Sequence, residues 1–155
     1  MKIKELLETW KLSSLKFKSP FLEMEFKASP VDEEAAWALH VELVTRIATQ
    51  QLMPGHGDEK TALESIHLLF SITRDVLKKN RGCDRFAPIA VAMLNQKIRP
   101  FTAKWHPIAL NKGFDDSETR LEFRRELEEL QNVLRSYSSA LSKIANVEDL
   151  TDLES

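Results

Sequence analysis

The sequence predicts a mainly all-α fold, an up-and-down bundle of about four helices preceded by a short N-terminal β-hairpin or extended segment. Three observations carry this. Phe123, Leu127, Leu130, Leu134, Tyr137, Leu141 and Ile144 repeat with steps of 4 and 3, a heptad seam. Two earlier segments place apolar residues at helical spacing behind N-cap signals. Near the N-terminus, Leu15 to Lys18 and Phe21 to Lys27 instead alternate apolar with charged residues around Ser19-Pro20, the pattern of strand, turn and strand.

Each element follows from local chemistry. Met1 to Leu12 reads as a short amphipathic opening. A lone hairpin over 15–27 is marginal in water, so it must pack on the helices or pair with another chain through its edge. Ser29, Pro30 and Asp32 supply an N-cap, a first-turn proline and an acidic third position, which start a helix expected to run to about Leu52. Its buried stripe is expected at Trp37, Val41, Val44, Ile47 and Ala48, and Pro54-Gly55-His56-Gly57 should stop it. The next helix starts from a Thr61/Glu64 capping box or from Asp58, buries Leu63, Ile66, Leu69, Phe70, Ile72, Val76 and Leu77, and ends near Gly82. A third begins near Asp84 to Pro88 and carries Phe86, Ile89, Ala90, Met93, Leu94, Ile98, Phe101 and Trp105 at helical spacing, with a kink or break expected at Arg99 because Pro100 removes a backbone donor and crowds the preceding turn. The heptad helix, capped around Asp115 to Ser117, closes the set at about 30 residues. The organisation is one domain over 1–155: an extended segment (1–28), a helical bundle (29–146) and an acidic, loose tail (147–155).

Composition narrows the function classes. The chain has 155 residues, 43% hydrophobic and 30% charged, enough for one core. Cys83 is the only cysteine, so no intramolecular disulfide forms and a reducing cytoplasm fits. No stretch approaches the roughly 20 apolar residues of a membrane span, and the opening residues lack a signal-peptide core, so a cytoplasmic protein with no membrane partner is expected. Net charge is −2, yet residues 81–112 carry 6 basic and 1 acidic side chain whereas 113–155 carry 5 and 11. Such asymmetry fits a nucleic-acid face, an acidic partner, or two oppositely charged helices packed side by side.

Chemistry concentrates in Leu94 to Pro107. Arg99 and His106 stand seven positions apart, two helical turns, so both project from one face of a continuous helix. Lys97, Arg99 and Lys104 offer phosphate contacts, and Phe101 and Trp105 offer stacking surfaces or core. The alternative internal role for Arg99 is an ion pair with Glu126 or Glu129. His40 and His67 read as core or interface histidines that helix packing could bring together. No His/Cys/carboxylate spacing supports a metal site, and no glycine-rich nucleotide loop or nucleophile elbow is present, so no metal and no cofactor are expected.

The spacing R-x6-H at Arg99 and His106 resembles the R-x4-6-H motif of HEPN domains, small all-α bundles many of which are metal-independent ribonucleases. That resemblance implies a composite site at a dimer interface, with Arg99 binding the scissile phosphate and His106 moving protons as the RNA 2'-hydroxyl attacks. Runs such as Val41 to Arg46, Arg99 to His106 and Glu148 to Leu153 also resemble uncharacterised bacterial proteins, which implies a bacterial source and favours an accessory role in defence or regulation. The functional expectation is a non-enzymatic interaction or adaptor module, self-associating and joined to a protein partner through the basic block, the hairpin edge or the acidic tail. The alternative is an HEPN-like ribonuclease acting through Arg99 and His106.

Overall fold

The computed structural model describes residues 1–46, 48–49 and 58–152. Its elements are α1 (Ile3–Thr9), α2 (Ser19–Leu22), α3 (Pro30–Val44), α4 (Glu59–His67), α5 (Leu69–Lys79), α6 (Ala87–Met93), a π-helical turn (Leu94–Ile98), α7 (Arg99–Leu110), a 3₁₀ turn (Gly113–Asp115) and α8 (Ser117–Ala145). The fold is mainly helical, and no strand forms among the described residues.

The spine is α8. Asp116 caps it by accepting from the Thr119 amide at 2.9 Å and the Thr119 hydroxyl at 2.7 Å. All seven seam residues are buried. The helix ends where Asn146 turns left-handed at φ 58°, a conformation asparagine tolerates, and Val147 N–H returns to Ser142 C=O at 3.0 Å. At 29 residues it extends about 43 Å, long enough to meet α3, α4 and α7.

Against it lies α3, which opens at Ser29 as its capping pattern predicts. The buried face differs from the expected stripe: Ala35, Ala36, Leu39, His40 and Leu43 are buried, whereas Trp37 and Val41 are 39% and 37% exposed. Apolar residues surround this helix almost evenly, so periodicity defined no single face and the largest side chain was a misleading guide. The small Ala35 and Ala36 face inward, which permits close approach to neighbouring elements. The helix ends at Val44, well short of the expected Leu52: Arg46 N–H turns back to Leu43 C=O, and the Thr49 hydroxyl donates to the same carbonyl at 2.8 Å, so the last turn closes on itself instead of continuing. Ile47, Leu52 and the Pro54 to Gly57 stop lie outside the described residues.

Asp58 caps α4, accepting from Lys60 N–H at 3.2 Å and the Thr61 hydroxyl at 3.0 Å, so the earlier of the two expected starts is used. One backbone path continues through Leu68 into α5, with Leu68 N–H on Glu64 C=O and Ile72 N–H on Leu68 C=O. Leu63, Ile66, Leu69, Phe70 and Val76 are buried, and Ile72 and Leu77 pack partly buried against them.

Pro100 does not break the third helix. The five-residue π turn precedes it, and the Arg99 amide reaches back to Leu94 C=O, so the backbone widens just where the proline ring needs room. Pro100 then occupies the first turn of α7, where a missing donor is tolerated.

The expected hairpin is replaced by two separate docking contacts. Phe26 N–H bonds Met1 C=O and Ile3 N–H bonds Met24 C=O, both at 2.9 Å, while Ser19–Leu22 coil into a helical turn that begins at Ser19-Pro20. Lys16 instead pairs with the Gln96 side-chain amide through two 2.8 Å bonds. Both arms thus satisfy their backbones against partners distant in sequence, and the free edge that would have favoured pairing between chains is not formed.

The acidic segment after α8 is docked as far as it is described. Leu150 N–H donates to Nε2 of the buried His40 at 3.2 Å, which leaves the neutral ring's proton on Nδ1 to donate to Ser138 C=O at 2.9 Å. Thr151 adds a hydroxyl bond to Ser138 Oγ at 2.9 Å. Leu153 lies outside the described residues.

Candidate functional site

Arg99 and His106 occupy the same side of α7, about 10 Å apart by helical rise, and both side chains are exposed. The guanidinium of Arg99 lies 4.8 Å from the Phe70 ring centre and bonds Asn95 Oδ1 through Nε and Nη2. His106 lies against His67, with ring centres 5.4 Å apart, and His67 lies 5.7 Å from Phe70. A row of contacts therefore runs from Arg99 over the buried Phe70 ring to His67 and His106, across the junction of α4, α5 and α7. His67 belongs to it although the sequence offered no link between residues 67 and 106. It is exposed rather than core, and it does not meet His40, which is buried against α8.

Phe101, Lys104 and Trp105 of this stretch serve the fold. Phe101 and Trp105 are buried, and Trp105, Phe114 and Phe123 form a ring cluster with centres 4.8 to 6.0 Å apart. Neither Phe101 nor Trp105 is available to stack on bases, because a helix lying on α8 turns its largest apolar side chains inward. Lys104 is bound to Glu126 and, at 3.1 Å, to Glu122, and its ammonium rests 4.9 Å from the Trp105 ring centre. Burial alone would raise the Glu126 carboxyl; Lys104 and a 3.3 Å bond from Trp105 Nε1 outweigh it and hold the group below the usual glutamate range. Glu126 is thus taken by Lys104, and Glu129 by Arg125 at 2.9 Å, rather than by Arg99. Lys104 thus joins the basic block to the acidic helix, while Arg99 and the half-buried Lys97 form no ion pair with it among the described residues.

A second feature lies at the other end of the molecule. A groove of about 570 Å³ opens between α1, Phe26, the C-terminal half of α8 and the docked segment at Thr151 and Asp152. Trp10 and Phe26 meet edge to face at 5.5 Å and form one wall, and Leu6 and Ala140 add apolar surface. Trp10 is held there by the end of α1, where Lys11 turns left-handed at φ 59° and Leu12 N–H returns to Leu7 C=O at 2.8 Å. Lys11, Arg135 and Lys143 stand on the lining. Neither Lys11 nor Lys143 has an ion-pair partner among the described residues, while Arg135 donates to Thr49 C=O and Asn132. The sequence marked none of these as a site, since only the fold brings residues 10, 26 and 139 together.

Among the described residues no group of three or more metal-binding side chains is assembled, and no helix is long and apolar enough to cross a membrane. The chain matches no family model, no curated protein and no solved structure.

Proposed function

We propose that the protein is a non-enzymatic interaction module, in which a bundle of the helical runs α3, α4–α5, α6–α7 and α8 supports a groove that receives an acidic amphipathic segment of a partner protein. The observation that carries this reading is the groove between α1 and α8: a half-buried Trp10–Phe26 wall beside Lys11 and Lys143, whose ammonium groups have no ion-pair partner among the described residues. Apolar side chains of a partner would fill the floor and gain roughly 25 cal/mol per Å² removed from water, and its carboxylates would meet the lysines at the rim. The chain's own acidic segment is tied to His40 and Ser138 at Leu150 and Thr151, which favours a different protein as the occupant over a second copy.

The test is selection from a displayed library of 12-residue peptides on the full chain. Enriched peptides should combine large apolar residues with Asp or Glu. The double variant Lys11→Glu and Lys143→Glu, verified as folded, should bind them at least about tenfold more weakly, equivalent to 1.4 kcal/mol. No enrichment, or binding indifferent to the double variant, refutes the groove; concentration-dependent association that those substitutions abolish would make a second copy the occupant.

One observation favours a second reading, an HEPN-like ribonuclease: Arg99 and His106 share an exposed side of one helix, with His67 beside His106. Arginine presents a fixed fork to a phosphate, and imidazole moves protons near neutral pH. Cleavage of a mixed RNA pool in chelator, lost in both His106→Ala and Arg99→Ala while fold is kept, supports it; equal cleavage by either variant and the parent refutes it.

A further inference from the structure

His67 is the last residue of α4 and His106 stands in the middle of α7, so the distance between their rings is set by the packing of two helices rather than by local sequence. The ring centres are 5.4 Å apart and the planes are tilted by 48°, which is neither a parallel stack nor an edge-to-face contact. Both side chains are exposed, and neither ring has a hydrogen-bond partner among the described residues. Two imidazoles thus face one another across a helix contact with their nitrogens uncommitted.

We propose that His67 and His106 together chelate a borderline transition-metal ion such as Zn²⁺ or Ni²⁺. Neutral imidazole nitrogen is a preferred donor for these ions. A zinc ion bound at about 2.0 Å from nitrogen sits about 3 Å from each ring centre, and a tetrahedral angle at the metal then separates the centres by about 5 Å. The observed 5.4 Å between ring centres lies close to that separation. His106 opens onto a pocket beside Glu64, and water fills the remaining positions of the ion. Lys60 and Lys112 line the same pocket and oppose a cation, so the ion is held by the imidazole bonds rather than by the local field. Bound there, it would staple the end of α4 to α7. The site is independent of the groove and shares His106 with the ribonuclease reading.

The experiment is isothermal titration of ZnCl₂, and separately NiCl₂, into the full chain after chelator treatment and dialysis, at pH 7.5 and at pH 5.5. His67→Ala and His106→Ala are titrated beside it; both positions are exposed, and circular dichroism checks that the variants keep their helix content. Expected is a saturable isotherm with one ion per chain that weakens at least tenfold in each single variant and weakens at pH 5.5, where protonation competes for imidazole nitrogen. Absence of saturable binding by the parent chain overturns the proposal. So does binding lost in only one of the two variants or in neither, since a chelate needs both rings.

Discussion

Asp32→Ala should cost the protein about 3 kcal/mol, because one buried carboxylate joins the start of α3 to the start of α6. Asp32 is 1% exposed and accepts from Ser29 N–H at 2.9 Å, the Ser29 hydroxyl at 3.0 Å, Arg85 N–H at 3.2 Å and Phe86 N–H at 3.0 Å. Alanine leaves three backbone donors without that acceptor. The amides of Ser29 and Arg85 are only partly buried and regain water, so each loses about 0.5 to 1 kcal/mol, whereas the buried Phe86 donor costs about 1 to 3 kcal/mol when left unmade. At about 2–4 °C per kcal/mol for a chain of this size, the melting temperature should fall by about 6–12 °C. Urea unfolding followed by far-ultraviolet circular dichroism measures it, with an unchanged slope showing that the unfolding reaction is the same. Ser29→Ala removes the helix cap but leaves both α6 contacts, and should cost about 1 kcal/mol. If Asp32→Ala were no more destabilising than Ser29→Ala, the link between the two helices would contribute nothing and the reasoning would fail.

Other perturbations report on different parts of the packing. The Tyr137 hydroxyl is buried without a hydrogen-bond partner among the described residues, and burial pushes its ionisation above the usual tyrosine value. Tyr137→Phe should therefore leave stability unchanged or raise it by up to about 1 kcal/mol, and a loss above 1 kcal/mol in urea unfolding would reveal a hidden partner. Because the folded state holds the Glu126 carboxyl below its unfolded value of about 4.3, the stabilisation it provides is fully present above that pH and is lost as pH falls through the lower folded value. Carboxyl-carbon NMR should give a Glu126 midpoint below the ordinary glutamate range, and Lys104→Met should move it upward; a midpoint unaffected by Lys104→Met would remove the ion pair as its cause.

Sequence pattern was most informative where one physical requirement dominated. In α8 a two-sided environment, acidic outside and apolar inside, left a single seam at Phe123 to Ile144, and every member is buried. Ser29 and Asp116 likewise announced helix starts through side-chain oxygens that reach the first amides. Legibility failed where neighbours far along the chain decided the outcome. Alternation over 15–27 suggested two paired strands, but Lys16 found Gln96 and Phe26 found the first residue of the chain. Apolar residues all round α3 concealed which side faced α8. Pro100 predicted disruption, and the π turn that accommodates it is a backbone response with no compositional signature. For the candidate sites, the shared face of Arg99 and His106 followed from helical spacing, while burial of Phe101 and Trp105 depended on α8 lying beneath α7. His67 and the Trp10 groove are products of helix packing, so no local motif marked them.

The measurement that bears most directly on the interaction-module reading is NMR mapping of an acidic amphipathic peptide, recovered by display selection, onto the isotopically labelled full chain. Binding in the groove should move the amides of Leu6, Trp10 and Ser136 to Lys143, together with the Trp10 indole, and leave the α7 face near Arg99 and His106 unchanged. Perturbations centred on Arg99, His67 and His106, with the groove signals unmoved, would contradict it.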